Sequence, residues 1–248
     1  MSISKPSCVV FASKYVGEGC ARFIFERKDN ILQLYVGCED DLELIQMAQN
    51  HEVPVAVWTE VSRTQFIENK MQYDWLLNFW CPHILRENVL SKAVKRLNVH
   101  PGLVPHCRGN DGAAWALRLK VPAGVSLIEM TEQIDAGGIY AQREVPYKFG
   151  ETGRSLHNRL QDEAVSLFQE AWPGIVDGEI EAGEQPEGGS YFTRKMTNTD
   201  RVQSGDTRFT LEEFVRWSTS HDFSPGTTAE IIADDGRHFR VTVEEIKS

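Results

Sequence analysis

Short apolar runs and longer amphipathic ones take turns through the first half of the chain. Cys8-Val9-Val10-Phe11-Ala12 is apolar throughout and predicts a buried strand. Residues 17–28 predict a helix entered through Gly17-Glu18-Gly19, and residues 31–37 a second strand. Residues 40–50 predict a helix whose acidic start suits the positive end of the helix dipole. Residues 53–58 predict a third strand, 62–71 a helix, 75–80 a fourth strand and 85–95 a further helix. That helix leads into a strand at Leu97-Asn98-Val99-His100. Further on, residues 124–142 predict strand, turn and strand. Leu156, Leu160, Ala164, Leu167 and Phe168 recur at helical spacing, with Thr152 or Ser155 placed to cap that helix.

This alternation implies an α/β fold, a mostly parallel sheet with helices on both faces. Residues 183–190 are rich in Gly, Glu and Pro and predict a linker, which divides the chain into 1–182 and a small C-terminal region, 183–248. That region predicts a short helix over 210–218 and a β-hairpin, residues 229–233 and 239–243, turning at Asp234-Asp235-Gly236.

The chemistry concentrates at one strand end. Asn98 and His100 are two residues apart, so an extended backbone points both side chains to one face while Val99 faces the other way. An apolar strand gains nothing structural from an Asn and a His on one face. An amide N–H beside an imidazole suits a carbonyl that is gaining negative charge. Pro101 and Pro105 stiffen the loop that follows. Asp135 lies at the turn of the strand-turn-strand segment, before Gly137-Gly138, where glycine permits close backbone approach. A carboxylate there can orient His100, and it can equally be an ordinary turn residue.

Asn98, His100, Pro101, Gly102, Leu103 and Pro105, then Arg108-Gly109, Trp115, Gly124-Val125, Asp135, Gly137 or Gly138, Ile139 and Gln142, stand in order and spacing that resemble the 10-formyltetrahydrofolate-dependent formyltransferases. The resemblance covers roughly residues 55–170 and is greatest to the sugar N-formyltransferases, whose compact tails are like this one. It implies a Rossmann-like formyltransferase core in which Asn98, His100 and Asp135 are the catalytic groups. Phe79, Trp80, Ile84, Leu85, Gln133 and Ile134 would line the folate slot, with Phe79 and Leu85 equally readable as core. Gly102, Arg108 and Asn110 would meet the substrate. The implied reaction is transfer of a formyl group from 10-formyltetrahydrofolate, as co-substrate, to the primary amine of a nucleotide-linked amino sugar, for polysaccharide or O-antigen assembly. The alternatives are another amine (initiator tRNA, a purine-pathway ribotide or a carrier-bound substrate) and hydrolysis of the formyl folate. Ile128 departs from the family, which often has a His there.

Composition narrows the choice. A net charge of −10 argues against a nucleic-acid partner, because phosphate binding needs clustered Lys and Arg. In purine-pathway relatives a Gly-rich turn after the first strand holds the substrate phosphate, and Ser13-Lys14-Tyr15-Val16-Gly17 lacks that pattern. Gly17-x-Gly19 is followed by Arg22 where a dinucleotide fingerprint needs its third glycine. Five scattered cysteines without a Cys-x-x-Cys pair fit a reducing cytoplasm, and no apolar run is long enough to span a bilayer. No His, Cys or carboxylate cluster has metal-ligand spacing, so no metal is expected. A homodimer through the C-terminal region is a further expectation.

Overall fold

A computed structural model describes residues 5–246. In chain order the elements are β1 (Ser7–Ala12), α1 (Lys14–Glu26), β2 (Asn30–Val36), α2 (Leu42–Asn50), β3 (Val55–Val57), α3 (Glu60–Glu68), β4 (Tyr73–Phe79), α4 (Glu87–Leu90) and β5 (Ala93–His100). They continue as β6 (Arg108–Gly109), α5 (Gly112–Leu119), β7 (Gly124–Glu129), β8 (Ile139–Glu144) and α6 (Gly153–Val176). The tail carries β9 (Tyr191–Phe192), α7 (Arg194–Arg201), β10 (Val202–Ser204), α8 (Leu211–Ser220), β11 (Ala229–Ile232) and β12 (His238–Val241). Two compact units interleave along the sequence. One takes residues up to His100 with Ser126–Gln142 and Ala164–Gln185; the other takes Pro101–Val125, Arg143–Glu163 and the chain from Pro186 on.

The first unit is organised on a sheet of order β3-β2-β1-β4-β5-β7-β8. The first five strands run parallel, and β7 lies antiparallel to β5. The α/β reading of the sequence therefore holds. Strand order reverses between β1 and β4, which makes their carboxyl ends a switch point where open α/β sheets take ligands.

Strand alternation separates two cores. On one face Phe11 stacks on Tyr35 at 5.1 Å between ring centroids and meets Trp58 and Phe66 edge-on, above Val89 and Leu90 of α4. On the other, Trp75 and Phe79 pack edge-on against Trp172 and Phe168 of α6. Each such aromatic pair adds about 0.5–1.5 kcal/mol beyond its buried area.

Three elements differ from the sequence reading. The helix predicted over 85–95 shrinks to α4, because β5 begins at Ala93 and pairs from Tyr73↔Ala93 to Asn78↔Asn98. Pairing with Tyr73, Trp75 and Leu76 of β4 ties Ala93, Lys95 and Arg96 into the sheet, which outweighs the helical preference of Lys and Arg. The predicted linker is not loose at its start: Ile139 and Gly183 exchange both backbone hydrogen bonds, at 2.7 and 2.9 Å. The C-terminal hairpin is present as β11–β12, and it has a third strand, β10, which runs parallel to β11.

In the second unit, Trp115 stacks on Phe192 at 4.0 Å and donates its indole N–H to Thr197 at 2.9 Å. Arg118 and His221 both reach Asp200, at 3.0 and 2.8 Å. Among the described residues no helix is long and apolar enough to cross a membrane.

Candidate active site

The site is assembled on the carboxyl ends of β4 and β5. Asn78 and Asn98 are Cα partners on adjacent parallel strands, and Asn98 faces Ile128 across the antiparallel ladder. Residues opposed in this way share a face. The next opposed pair on that face of β5 and β7 is His100 and Ser126, both buried. Gln142 donates to the Ser126 hydroxyl at 2.9 Å.

Asp135 bridges the two groups. Asn98 Nδ2 donates to its Oδ1 at 3.1 Å, and His100 Nδ1 lies 3.4 Å from its Oδ2. The structure thus brings together the three residues that the sequence singled out, with the carboxylate rather than the imidazole in the middle. His100 is 4 % exposed and the Asp135 side chain 9 %, so the carboxylate acts on its neighbours through little water.

The turn that carries Asp135 is held in an uncommon conformation. Asp135 has φ +52°, in the left-handed region that few residues other than Gly, Asn and Asp tolerate. Two residues on, a Cβ on Gly137 would come within 2.0 Å of the Glu129 carbonyl oxygen, so only glycine fits. Gln185 fastens the turn from across the unit. Its side-chain amide donates to the carbonyls of Asp135 and Gly137 at 3.1 and 3.0 Å.

The residues expected at a folate slot divide. Phe79 points to the opposite face from Asn78, is fully buried and packs on Phe168, so it is a core residue. Leu85 belongs to the aromatic core on the site face and is 8 % exposed. Ile84 is 57 % exposed, and Trp80, at φ +63°, is half-buried where the chain leaves β4. Gln133 is exposed and Ile134 half-buried in the turn before Asp135. Ile84, Trp80 and Ile134 thus keep side-chain surface that solvent reaches, unlike Phe79 and Leu85.

Gly102, Arg108 and Asn110 belong to the second unit. Gly102 is buried. Arg108 donates to the Gly188 carbonyl at 3.2 Å through Nη2, while its buried Nε has no partner. Asn110 is exposed, and its backbone N–H donates to the Phe192 carbonyl at 2.8 Å. Among the described residues no group of three or more His, Cys, Asp or Glu is placed to hold a metal ion.

Sequence reasoning missed three residues. Asn78 reads as one polar position in an apolar strand, and Gln185 lies in an apparent linker. Asp41 reads only as an acidic helix start, yet it fills the turn after β1. Its carboxylate accepts from Lys14 N at 2.9 Å, Ser13 Oγ at 2.8 Å and Cys38 N at 3.1 Å. Burial pushes its carboxyl up, but these hydrogen bonds outweigh it and hold the group below the usual range. Their signal is faint because Asn78 acts through Asn98, Gln185 through Asp135, and Asp41 in part through Ser13 and Lys14, all distant along the chain.

Residues 66–172 match the family model described as formyl transferase. Solved structures of sugar N-formyltransferases share the fold over nearly the whole chain. A 4-N formyltransferase from Francisella tularensis superposes with a TM-score of 0.85 at 18 % identity, covering 99 % of this chain and 100 % of the other. A sugar N-formyltransferase from a Shewanella species gives 0.81 at 18 % identity, with 99 % and 100 % covered. An N-formyltransferase from Helicobacter canadensis, solved with folinic acid and dTDP-3-aminofucose, gives 0.69 at 18 % identity, with 87 % and 80 % covered.

Proposed function

We propose that the chain is an N-formyltransferase that moves a formyl group from 10-formyltetrahydrofolate to the primary amine of a nucleotide-linked amino sugar. The observation that carries this reading is the Asp135 carboxylate shared between Asn98 and His100. The co-substrate supplies an activated formyl group; the chain supplies donors and a proton carrier. One N–H of Asn98 is taken by Asp135, and the other is available to a carbonyl oxygen that gains charge as the amine attacks. With Nδ1 of His100 turned to Asp135, Nε2 is the ring atom that takes the proton from the attacking amine and passes it to the leaving nitrogen. Ile84, Trp80 and the turn before Asp135 would hold the pterin.

A sugar nucleotide is favoured over the alternative amines by two features. The net charge of −10 disfavours tRNA. A ribotide phosphate would need the turn after β1, where a helix N-terminus ordinarily receives an anion. In this chain the N–H of Lys14 is already committed to the Asp41 carboxylate, so that position carries its own negative charge. The Helicobacter canadensis relative was solved with a folate and a nucleotide amino sugar, the same two ligand classes. We further propose that the enzyme works in the cytoplasm, that its product enters surface polysaccharide assembly, and that a homodimer forms through the C-terminal region.

The test is a panel of 3-amino and 4-amino sugar nucleotides incubated with 10-formyltetrahydrofolate and read by mass spectrometry. A gain of one formyl group on one of them is the expected result. Formylation of glycinamide ribotide or methionyl-tRNA instead, or release of formate alone, would replace this reading with one of its alternatives.

A further inference from the structure

The row of side chains next to the catalytic groups contains a polar residue that packing does not explain. Phe11 on β1, Asn78 on β4, Asn98 on β5 and Ile128 on β7 are successive register partners across the sheet. Phe11 and Ile128 are buried, and an apolar residue at 78 would continue the row. Asn78 instead donates its amide to Oδ1 of Asn98 at 2.8 Å, and its own Oδ1 is buried without a partner. A buried unsatisfied acceptor costs about 1–3 kcal/mol. The chain therefore keeps Asn78 at a cost in stability.

We propose that Asn78 is a positioning residue that fixes which end of the Asn98 amide faces the reacting carbonyl; this rests on the formyl-transfer reading above. The two ends of a carboxamide are nearly the same size, so shape alone does not set its orientation. Here each end has its own check. Oδ1 of Asn98 receives the N–H of Asn78, and Nδ2 of Asn98 donates to Asp135. Turning the Asn98 amide over would place oxygen against the Asp135 carboxylate and N–H against the N–H of Asn78. The first contact is repulsive outright and the second unless Asn78 turns over as well, so the two together hold the N–H that remains on Nδ2 in one direction. Adjacent parallel strands hold the pair in register, which makes the arrangement stiff before any ligand arrives.

Asn78→Leu removes the check and keeps the volume. Asn78→Asp keeps the shape and offers Asn98 only acceptors, favouring the inverted amide. Each is expected to lower kcat about 10- to 100-fold, as misorientation of a catalytic group does, with KM near wild type and, in Asn78→Leu, a melting temperature no lower than wild type. Because Asn78 acts through Asn98, Asn78→Leu should cause no further loss in an Asn98→Ala background. A residue that merely supports the fold would lower the melting temperature and add its loss in that background.

A second readout does not depend on turnover. In 15N-labelled protein the side-chain NH2 pair of Asn98, assigned by its disappearance in Asn98→Ala, should shift in both Asn78 variants. Wild-type protein that formylates nothing, with this shift present, overturns the formyl-transfer reading and leaves the Asn78–Asn98 coupling standing. An unmoved Asn98 pair, wild-type kcat in Asn78→Asp, or additive losses in the double variant overturns the proposal. Should Asn78→Leu fail to fold, Asn78→Asp carries the kinetic and spectroscopic arms alone.

Discussion

Gln185 donates its side-chain amide to the backbone carbonyl of Asp135 at 3.1 Å, although the two are 50 residues apart in the chain. A second bond from the same nitrogen reaches the Gly137 carbonyl at 3.0 Å, so one side chain closes the turn that presents the Asp135 carboxylate. Asp135 sits at φ +52°, a conformation that persists only where the surroundings impose it. Gln185→Ala should relax the turn and lower kcat about 10-fold with little change in KM. Gln185→Leu should behave alike, since the N–H and not the volume is what the turn requires. Steady-state kinetics on both variants check this, and wild-type kcat in either would mean that the turn holds itself.

Asn98→Ala and His100→Ala should each leave ligand binding nearly intact and lower kcat strongly. The loss of a single donor to a developing oxyanion costs on the order of 3–4 kcal/mol, or roughly 10²–10³ in rate. Asp135→Asn keeps the size but puts an amide where both neighbours need an acceptor, so it should affect kcat and not KM. Losses in the three single variants that simply add in the triple variant would show that the groups do not act as a unit.

Ile84 and Leu85 are neighbours with opposite expectations. Ile84 is 57 % exposed, and Ile84→Arg should weaken binding of a non-hydrolysable folate analogue without changing the melting temperature. Leu85 is in the aromatic core, so Leu85→Arg buries an unpaired charge and should unfold the protein. Calorimetric titration and thermal melts separate the two. Unchanged affinity in Ile84→Arg would place the cofactor elsewhere.

Asp200 links the stability of the second unit to pH. Burial pushes its carboxyl up, but the hydrogen bonds from His221 and Arg118 outweigh burial and hold it below the usual range. Its folded value is therefore lower than the unfolded one of about 3.9. The stabilisation is present above that pH and is lost as pH falls through the folded value. Asp200→Asn should cost on the order of 2 kcal/mol at neutral pH and flatten the acid side of the stability curve. Denaturant melts from pH 7 to pH 3 measure both effects. A parallel displacement of the whole curve would assign the acid dependence to other carboxylates.

The cysteines should react unequally. Burial pushes the thiols of Cys8, Cys81 and Cys107 up to about 12 and that of Cys20 well above its ordinary value, whereas Cys38 is exposed. Only the thiolate alkylates. Native protein at pH 8 should take up one iodoacetamide quickly, at Cys38, as peptide mapping would show. Rapid labelling of any buried cysteine would reveal local opening of its surroundings.

The sequence by itself determined the site's first two groups. A strand repeats every two residues, so Asn98 and His100 had to share a face wherever that strand lay. The α/β class followed in the same way from periodicity, because short apolar runs separated by amphipathic ones bury themselves as a covered parallel sheet. Local pattern failed where partners are distant. Ala93–Arg96 carries helix-forming Lys and Arg, and only pairing with β4 made it a strand. Asp135, read locally, is a turn residue before glycines; its place between Asn98 and His100 depends on β7 returning beside β5. Asn78 gains its meaning from the strand next to it, and Gln185 from a turn 50 residues away. Hydrogen bonds of that kind leave no periodic trace in the chain, because the donor and the acceptor become neighbours only once the sheet has fixed the register.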